Sequence, residues 1–366
     1  MNHMERLRAG KVCSRMRWLV VALFVALAGC GGALPAAQAI GPAAASRGAD
    51  ASNRGEVASG TLWVSSSYSA VGYSLAAGPP TGFPSLTIKG ITNLQPSAGE
   101  TGLIQDMTVA PDGTVYELVD VCPTVTCADD AAYRWKLKLY APGTYGAAPV
   151  EQRITGTGRG RSVALDNTSI DVLSSDGTAA APHGYVASYR YAAGDNPAPA
   201  RTLTLAYAPR YFALDVDGLM YVGSGSSIFV YPVHSRGAAP SPARTISLPG
   251  VLDDAFALGP GRGVYVPIHA ESGPANVIYA YGQRNDGPTP SGSIQVQGGR
   301  SAGIAVDANQ NVYVGMGYNA ARVYSLATGN TILGYIPMPQ WDPTNPEQPY
   351  DGYVLAIGPP PVTASP

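Results

Sequence analysis

Charged side chains make up only 13% of this chain, and the 23 basic and 25 acidic residues nearly cancel. There is no basic stripe and no like-charge block, so a nucleic-acid partner is not expected. Histidine and cysteine number four each, and no pair of them is matched by a second pair at zinc-ligand spacing. After residue 40, no stretch keeps a 3.6-residue apolar period over three turns, which excludes an α-helical body. The longest early apolar run, from Trp18 to Ala28, is too short for a bilayer that needs about 20 residues.

Glycine (44) and proline (32) are abundant instead, together with 22 tyrosines. They punctuate a phrase that returns six times: Met107-Thr108-Val109, Val163-Ala164-Leu165, Phe212-Ala213-Leu214, Phe256-Ala257-Leu258, Ile304-Ala305-Val306 and Leu355-Ala356-Ile357. The intervals are 56, 49, 44, 48 and 51 residues, the period of a propeller blade. A second strand follows each of the first five anchors at Tyr116, Val172, Tyr221, Tyr265 and Tyr313, and a third ends at Tyr140, Tyr189, Tyr231, Tyr281 and Tyr324. A fourth carries Ile154, Leu203, Ile246, Ile294 and Ile332. Short runs of this kind between Gly, Pro, Asn and Asp clusters read as hairpin-linked strands. The fold class is therefore all-β, a six-bladed β-propeller of four-stranded blades over residues 61–361, with 362–366 as a tail. The sixth anchor has no blade after it, while Leu62-Trp63-Val64, Ala70–Tyr73 and Leu86–Ile88 lack a first strand. The C-terminal strand is thus expected to complete the first blade and remove the ring's open edges.

The phrases Ile304-Ala-Val-Asp-Ala-Asn-Gln-Asn-Val-Tyr-Val-Gly and Phe212-Ala-Leu-Asp-Val-Asp-Gly-Leu-Met-Tyr-Val-Gly resemble the NHL-repeat and gluconolactonase-like group of six-bladed propellers. The resemblance spans nearly all of the chain after its leader and rests on structural residues. Asp166, Asp215 and Asp307 recur at the turn after the first strand, where an Asp caps its own turn through backbone N–H groups.

The N-terminus carries Arg6, Arg8, Lys11, Arg15 and Arg17 before the apolar run, which ends in Leu27-Ala28-Gly29-Cys30. A basic segment, a short apolar core and small residues at its exit make a secretory signal over residues 1–29. The tetrad is similar to a bacterial lipobox, which implies cleavage before Cys30 and lipidation of its sulfur. A start at Met16 would leave Arg17 as the lone charge ahead of the core. Gly31 stands where lipoproteins retained at the inner membrane tend to carry Asp, so the resemblance implies an outer-membrane lipoprotein facing the periplasm or the cell surface. Residues 30–60, rich in Ala, Gly and Ser, form a tether. Without its leader the chain has a net charge of −6. Cys122 and Cys127, in Cys-Pro-Thr-Val-Thr-Cys, are expected to pair as a disulfide in an oxidising compartment.

Motifs for chemistry are few. Gly299-Arg300-Ser301-Ala302-Gly303 matches G-x-S-x-G, but it lies between propeller strands and lacks the helix that exposes such a serine. Gly156–Arg161 lacks the Lys-Ser/Thr ending of a P-loop and reads as a turn between blades. His183 and His269 are assigned to one face of the ring and His234 to the other, which separates them as ligands. Gluconolactonase-like relatives hold a divalent metal at the channel mouth with carboxylate and Asn ligands. Two residues before each anchor this chain has Gln105, Arg161, Arg210, Asp254, Ala302 and Tyr353, with one carboxylate and two arginines. That set departs from a Ca²⁺ cage.

Two functions from different classes follow. The first is a binding platform without cofactor or catalytic residues, for a protein, peptidoglycan or glycan partner. The alternative is a metal-dependent lactonase or lyase using Ca²⁺ or a similar ion. The ligand-binding candidates are Arg161, Arg210, Asp254, His269, Arg300, Tyr318 and Trp341, all on loops or turns expected to converge on one face.

Overall fold

A computed structural model describes residues 60–66, 69–75, 86–88, 101–123, 127, 129–140, 154–166, 168–178, 181–190, 197–215, 217–232, 235–252, 255–269, 276–282, 289–296, 301–316, 320–325, 332–337 and 354–358. All lie in Ser52–Pro366, one of two units of the chain. Among the described residues, no helix is long and apolar enough to cross a membrane. The leader, Cys30, the tether up to residue 59 and the tail lie outside them.

Each sequence repeat folds as an antiparallel meander. Blade 1 begins with β1 (Thr61–Ser66), β2 (Ser69–Ser74) and β3 (Leu86–Ile88). Blade 2 is β4 (Thr101–Val109), β5 (Val115–Cys122), β6 (Arg134–Tyr140) and β7 (Thr155–Thr157). Blade 3 holds β8 (Arg159–Leu165), β9 (Ser169–Ser175), β10 (Gly184–Arg190) and β11 (Arg201–Leu205). Blade 4 is formed by β12 (Tyr211–Leu214), β13 (Leu219–Ser224), β14 (Ser227–Pro232) and, after the two-residue β15 (Gly237–Ala238), β16 (Arg244–Ser247). Blade 5 comprises β17 (Ala257–Leu258), β18 (Val264–His269), β19 (Asn276–Tyr281) and β20 (Gly292–Val296). Blade 6 comprises β21 (Ser301–Val306), β22 (Asn311–Met316), β23 (Ala320–Ser325) and β24 (Ile332–Pro337). The last strand, β25 (Val354–Gly358), joins β1 as the inner strand of blade 1, with Leu355 opposite Val64 and Ile357 opposite Leu62. Each inner strand packs against the next, and β25 against β4 completes the circle. This is the expected six-bladed propeller.

Three details differ from the sequence reading. Blade 3 has a fifth strand, because β15 leaves blade 4 and pairs in parallel with β11. Gly237, at φ +91°, turns the chain into that position. β4 begins at Thr101, well ahead of its anchor at Met107, because its ladder continues to Thr101 opposite Cys122. Likewise Cys122 ends β5, and His269, expected on a loop, ends β18. β5 is buried throughout its length, and His269 faces Asn276 in register, so in both cases strand pairing extends beyond the apolar pattern.

Six apolar seams join the blades. Leu62 and Val64 pack on Tyr313 and Val323 between blades 1 and 6, and Trp63 packs with Val115, Val119 and Tyr140 between blades 1 and 2. At the next seam the indole of Trp135 lies so close to Gly156 that an added Cβ would fall 2.3 Å from it, so only glycine fits. The residue opposite the first position of each anchor lies at the centre of its seam. It is valine in four blades (Val64, Val172, Val222 and Val314), and in blade 5 Val266 stands one place beyond the Ala257–Tyr265 pair, each fully buried. In blade 2 it is Glu117, also fully buried, opposite Met107. No partner meets either carboxyl oxygen of Glu117 in well-formed hydrogen-bond geometry, and the nearby Tyr140 hydroxyl and Lys138 favour its charged form only weakly.

Two outcomes test this architecture. Deleting residues 344–366 removes β25 and exposes the edge of β1. A loss of several kcal/mol should lower Tm by roughly 5–10 °C or bring aggregation, as read by circular dichroism and light scattering. A truncated chain that melts like the full one would refute closure by β25.

The second concerns Glu117. Burial pushes its carboxyl up from 4.5 to about 8, against smaller pulls from Tyr140 and Lys138. Between those values the folded chain keeps a proton that the unfolded chain has released, so this group costs stability progressively as pH rises through that window. Glu117→Gln should flatten this part of the pH dependence, read as urea midpoints at pH 5, 7 and 8.5. Equal slopes in both proteins would show that Glu117 does not titrate with folding.

Candidate functional site

The inner strands enter the ring through bulges. In β4 the register shifts between Ile104 and Asp106, in β8 between Gly160 and Ser162, and in β21 between Ser301 and Gly303. The extra residues are Gln105, Arg161 and Ala302, two positions before their anchors. A bulge leaves its extra residue out of the ladder and re-aims its side chain, a device common beside functional sites. In blade 4, Arg210 holds the equivalent place: its N–H donates to the Gly223 carbonyl (2.8 Å), just before the Tyr211–Gly223 pair. The repeat therefore presents these residues at one mouth of the ring. Asp166, Asp215 and Asp307 are at the opposite ends of their strands. Each caps its own turn, accepting from the backbone N–H groups of Ser169, Leu219 and Asn311 respectively.

At the mouth, Arg161 is held in place. Its guanidinium donates to Asp130 Oδ2 (2.6 Å) and to Ser175 Oγ (2.9 Å), and the Ser175 hydroxyl donates to the same Asp130 oxygen (2.6 Å). Burial and the charge of Arg159 lower its pKa, Asp130 opposes this, and Arg210 adds a smaller repulsion. Arg159 donates from Nε to Asp120 Oδ2 (3.2 Å), and its guanidinium lies 5.1 Å over the Tyr133 ring. Asp120, at the centre of the buried β5, also accepts from the Gly160 N–H (2.6 Å). Only glycine allows that approach, since a Cβ on Gly160 would lie 3.0 Å from the carboxyl and 2.9 Å from Trp135. Burial pushes the Asp120 carboxyl up to about 7, against Arg159, the Gly160 N–H and Arg161. Arg210 is exposed and has no carboxylate partner among the described residues. On the same end of blade 3, His183 Nδ1 pairs with Asp176 at 2.6 Å.

Behind the mouth a polar chain joins three blades. Asp106 accepts from the N–H groups of Met107 (2.9 Å) and Val163 (2.8 Å). Ser162 Oγ lies 2.5 Å from Asp106 and 2.9 Å from the Phe212 carbonyl. Burial raises the Asp106 carboxyl to about 7, against the hydrogen bonds from Ser162, Val163 and Met107. Ser162 Oγ is thus the donor that links Asp106 of blade 2 to the Phe212 carbonyl of blade 4. Tyr211, held protonated by burial and by the nearby Asp106, completes this clasp of blades 2, 3 and 4. Ser162 is fully buried, so it serves the framework and not a ligand.

Arg161 and Arg210 of the predicted set hold equivalent strand-entry positions in adjacent blades, within electrostatic reach of one another. His269 is at the end of β18. Asp254, Arg300, Tyr318 and Trp341 lie outside the described residues. Ser301, Ala302 and Gly303 of the G-x-S-x-G motif are in the strand β21 and not in a turn, Gly299 and Arg300 lie outside the described residues, and Gly158 (φ +85°) turns the chain from β7 into β8. Cys122 and Cys127 are at disulfide distance, with Cα atoms 5.9 Å apart. Asp120, Asp130, Arg159 and Ser175 were not anticipated from sequence. The signal for Asp120 was present, as a carboxylate in the otherwise apolar strand Val-Tyr-Glu-Leu-Val-Asp-Val-Cys. Asp130 and Ser175 carried none, because their meeting depends on the packing of two blades. Among the described residues, no three His, Cys, Asp or Glu side chains group as metal ligands.

No protein-family model matches the chain, and no curated protein matches it. Among solved structures, the WD40 β-propeller domain of Doa1 is similar at 12% identity with a TM-score of 0.41, over 64% of this chain and 83% of that one. The propeller assignment rests on this chain's own strand ladders.

Proposed function

We propose that this protein is a lipid-anchored extracytoplasmic propeller that binds a protein, peptidoglycan or glycan partner at the bulge-lined mouth of its ring. One observation carries the reading: Arg210 is exposed and free of carboxylates among the described residues, beside an Arg161 already oriented by Asp130 and Ser175. Like charges set together on a chain of net negative charge favour an anionic partner group. A propeller is a rigid frame on which loops present such groups, and the fold itself prescribes no chemistry. The address is supported by the sequence alone, through Leu27-Ala28-Gly29-Cys30 and Gly31. On this reading, lipid at Cys30 holds the ring at the outer membrane and residues 31–60 give it reach. Function needs no cofactor.

The address predicts a mature chain that begins at an acylated Cys30 and fractionates with the outer membrane. Mass spectrometry of its N-terminus decides this, and an unmodified Cys30 or an intact 18–29 segment would overturn it.

The site predicts that Arg210→Glu weakens capture of envelope partners at least tenfold while Tm changes little, because an exposed unpaired arginine contributes little to stability. Arg161→Ala should also lower Tm, since it leaves Asp130 without its cation. Capture unchanged by Arg210→Glu, together with lactone turnover that a chelator abolishes, would favour the metal-dependent lactonase instead.

A further inference from the structure

We propose that the mouth over blades 2, 3 and 4 binds a carboxylate or phosphoryl oxyanion through Arg161 and Arg210, and that Asp120 regulates the site by neutralising or releasing the charge of Arg159. This deepens the binding reading above and rests on it.

The argument begins with a charge count. Arg159 and Arg210 each act electrostatically on Arg161, and two carboxylates answer the three cations: Asp120 on Arg159 and Asp130 on Arg161. The third guanidinium is uncompensated among the described residues. A planar guanidinium fork matches the oxygens of a carboxylate or phosphoryl group, and Arg161 is held ready by Asp130 and Ser175. An oxyanion seated here would meet Arg210 without having to break an ion pair.

Asp120 sets the second charge. Its side chain is 2% exposed, and no route lets it turn to water while it accepts from the Gly160 N–H. The charged groups facing it are Arg159 and Arg161, both from β8. Its register partners on β6 and β4 are Trp135 and Leu103, which do not titrate. A proton on Asp120 removes the counter-charge of Arg159, while the Tyr133 ring keeps that guanidinium in place. The site then offers two uncompensated cations instead of one. Its carboxyl titrates near neutrality, so this change falls within an ordinary range of pH. Reciprocity requires the converse: a bound anion favours the protonated form of Asp120, so binding takes up protons.

The test uses the full propeller with two anions that do not titrate between pH 6 and 8. Sulfate stands for a phosphoryl group and galacturonate for an acidic sugar, and binding is followed by calorimetry in buffers of differing ionisation enthalpy. At least one anion should bind about three- to tenfold tighter at pH 6 than at pH 8, the effect of one added charge at short range, with net proton uptake. The arm that binds identifies the chemistry. Asp120→Asn, which stays neutral, should hold the tighter affinity at both pH values without proton uptake, and Arg210→Ala should abolish binding. His183→Gln should retain the pH dependence, which separates Asp120 from the His183–Asp176 pair. Binding that is independent of pH, or a pH dependence that survives in Asp120→Asn, would overturn the role of Asp120 and leave the platform intact. If neither anion binds at either pH, the oxyanion site is refuted, and loss of partner capture in Arg210→Glu then shows whether the mouth binds by other chemistry.

Discussion

Everything in this molecule depends on the ladder between β1 and β25. Five register pairs, from Thr61–Gly358 to Ser65–Val354, tie the end of the chain to the start of its folded body. Each blade is a small sheet that cannot bury both faces alone, so its stability comes from the seams on either side. An open fan would leave two such faces and an edge in water. Closure turns six marginal sheets into one cooperative ring and sets the mouth's dimensions, because every inner strand is then held between two neighbours.

The seams are not equivalent, and blade 2 is where they differ. Blade 3 buries one carboxylate, Asp171, while blade 2 buries three: Glu117 toward blade 1, and Asp106 and Asp120 toward blade 3. Burial raises all three carboxyls, yet their environments separate them. Asp106 and Asp120 are met by donors from blade 3, which makes them devices of alignment. Glu117 has no such donor, although hydrophobic residues occupy its place in the other five blades. Buried polar groups of the first kind define which surfaces meet. One of the second kind only subtracts from stability.

The mouth shows how a repeat can vary function without altering the frame. The same strand entry recurs with a bulge in blades 2, 3 and 6, and the bulged residue is glutamine, arginine and alanine in turn. Being outside the ladder, that position is released from strand pairing, and in blade 3 its arginine is held instead by Asp130 and Ser175. Substitution there changes the chemistry at the mouth while leaving the apolar seams intact.

The six anchors, the second- and third-strand tyrosines and the orphan strand at 354–358 were legible in the sequence, because strand periodicity and turn residues are local properties repeated at a fixed interval. They determined the number of blades, their order and the closure of the first by the last. The tetrad Leu27-Ala28-Gly29-Cys30 is equally local. What only the tertiary structure decided is contact between residues far apart in the chain: Asp120 with Gly160, Asp130 with Arg161, Asp106 with Ser162. Two positions before an anchor looks like a loop in one dimension. It becomes a bulge only when the opposing strand is present to define the register. Pattern in the chain specifies which faces are apolar, but the meeting of charges depends on the seam between blades, which no single repeat contains.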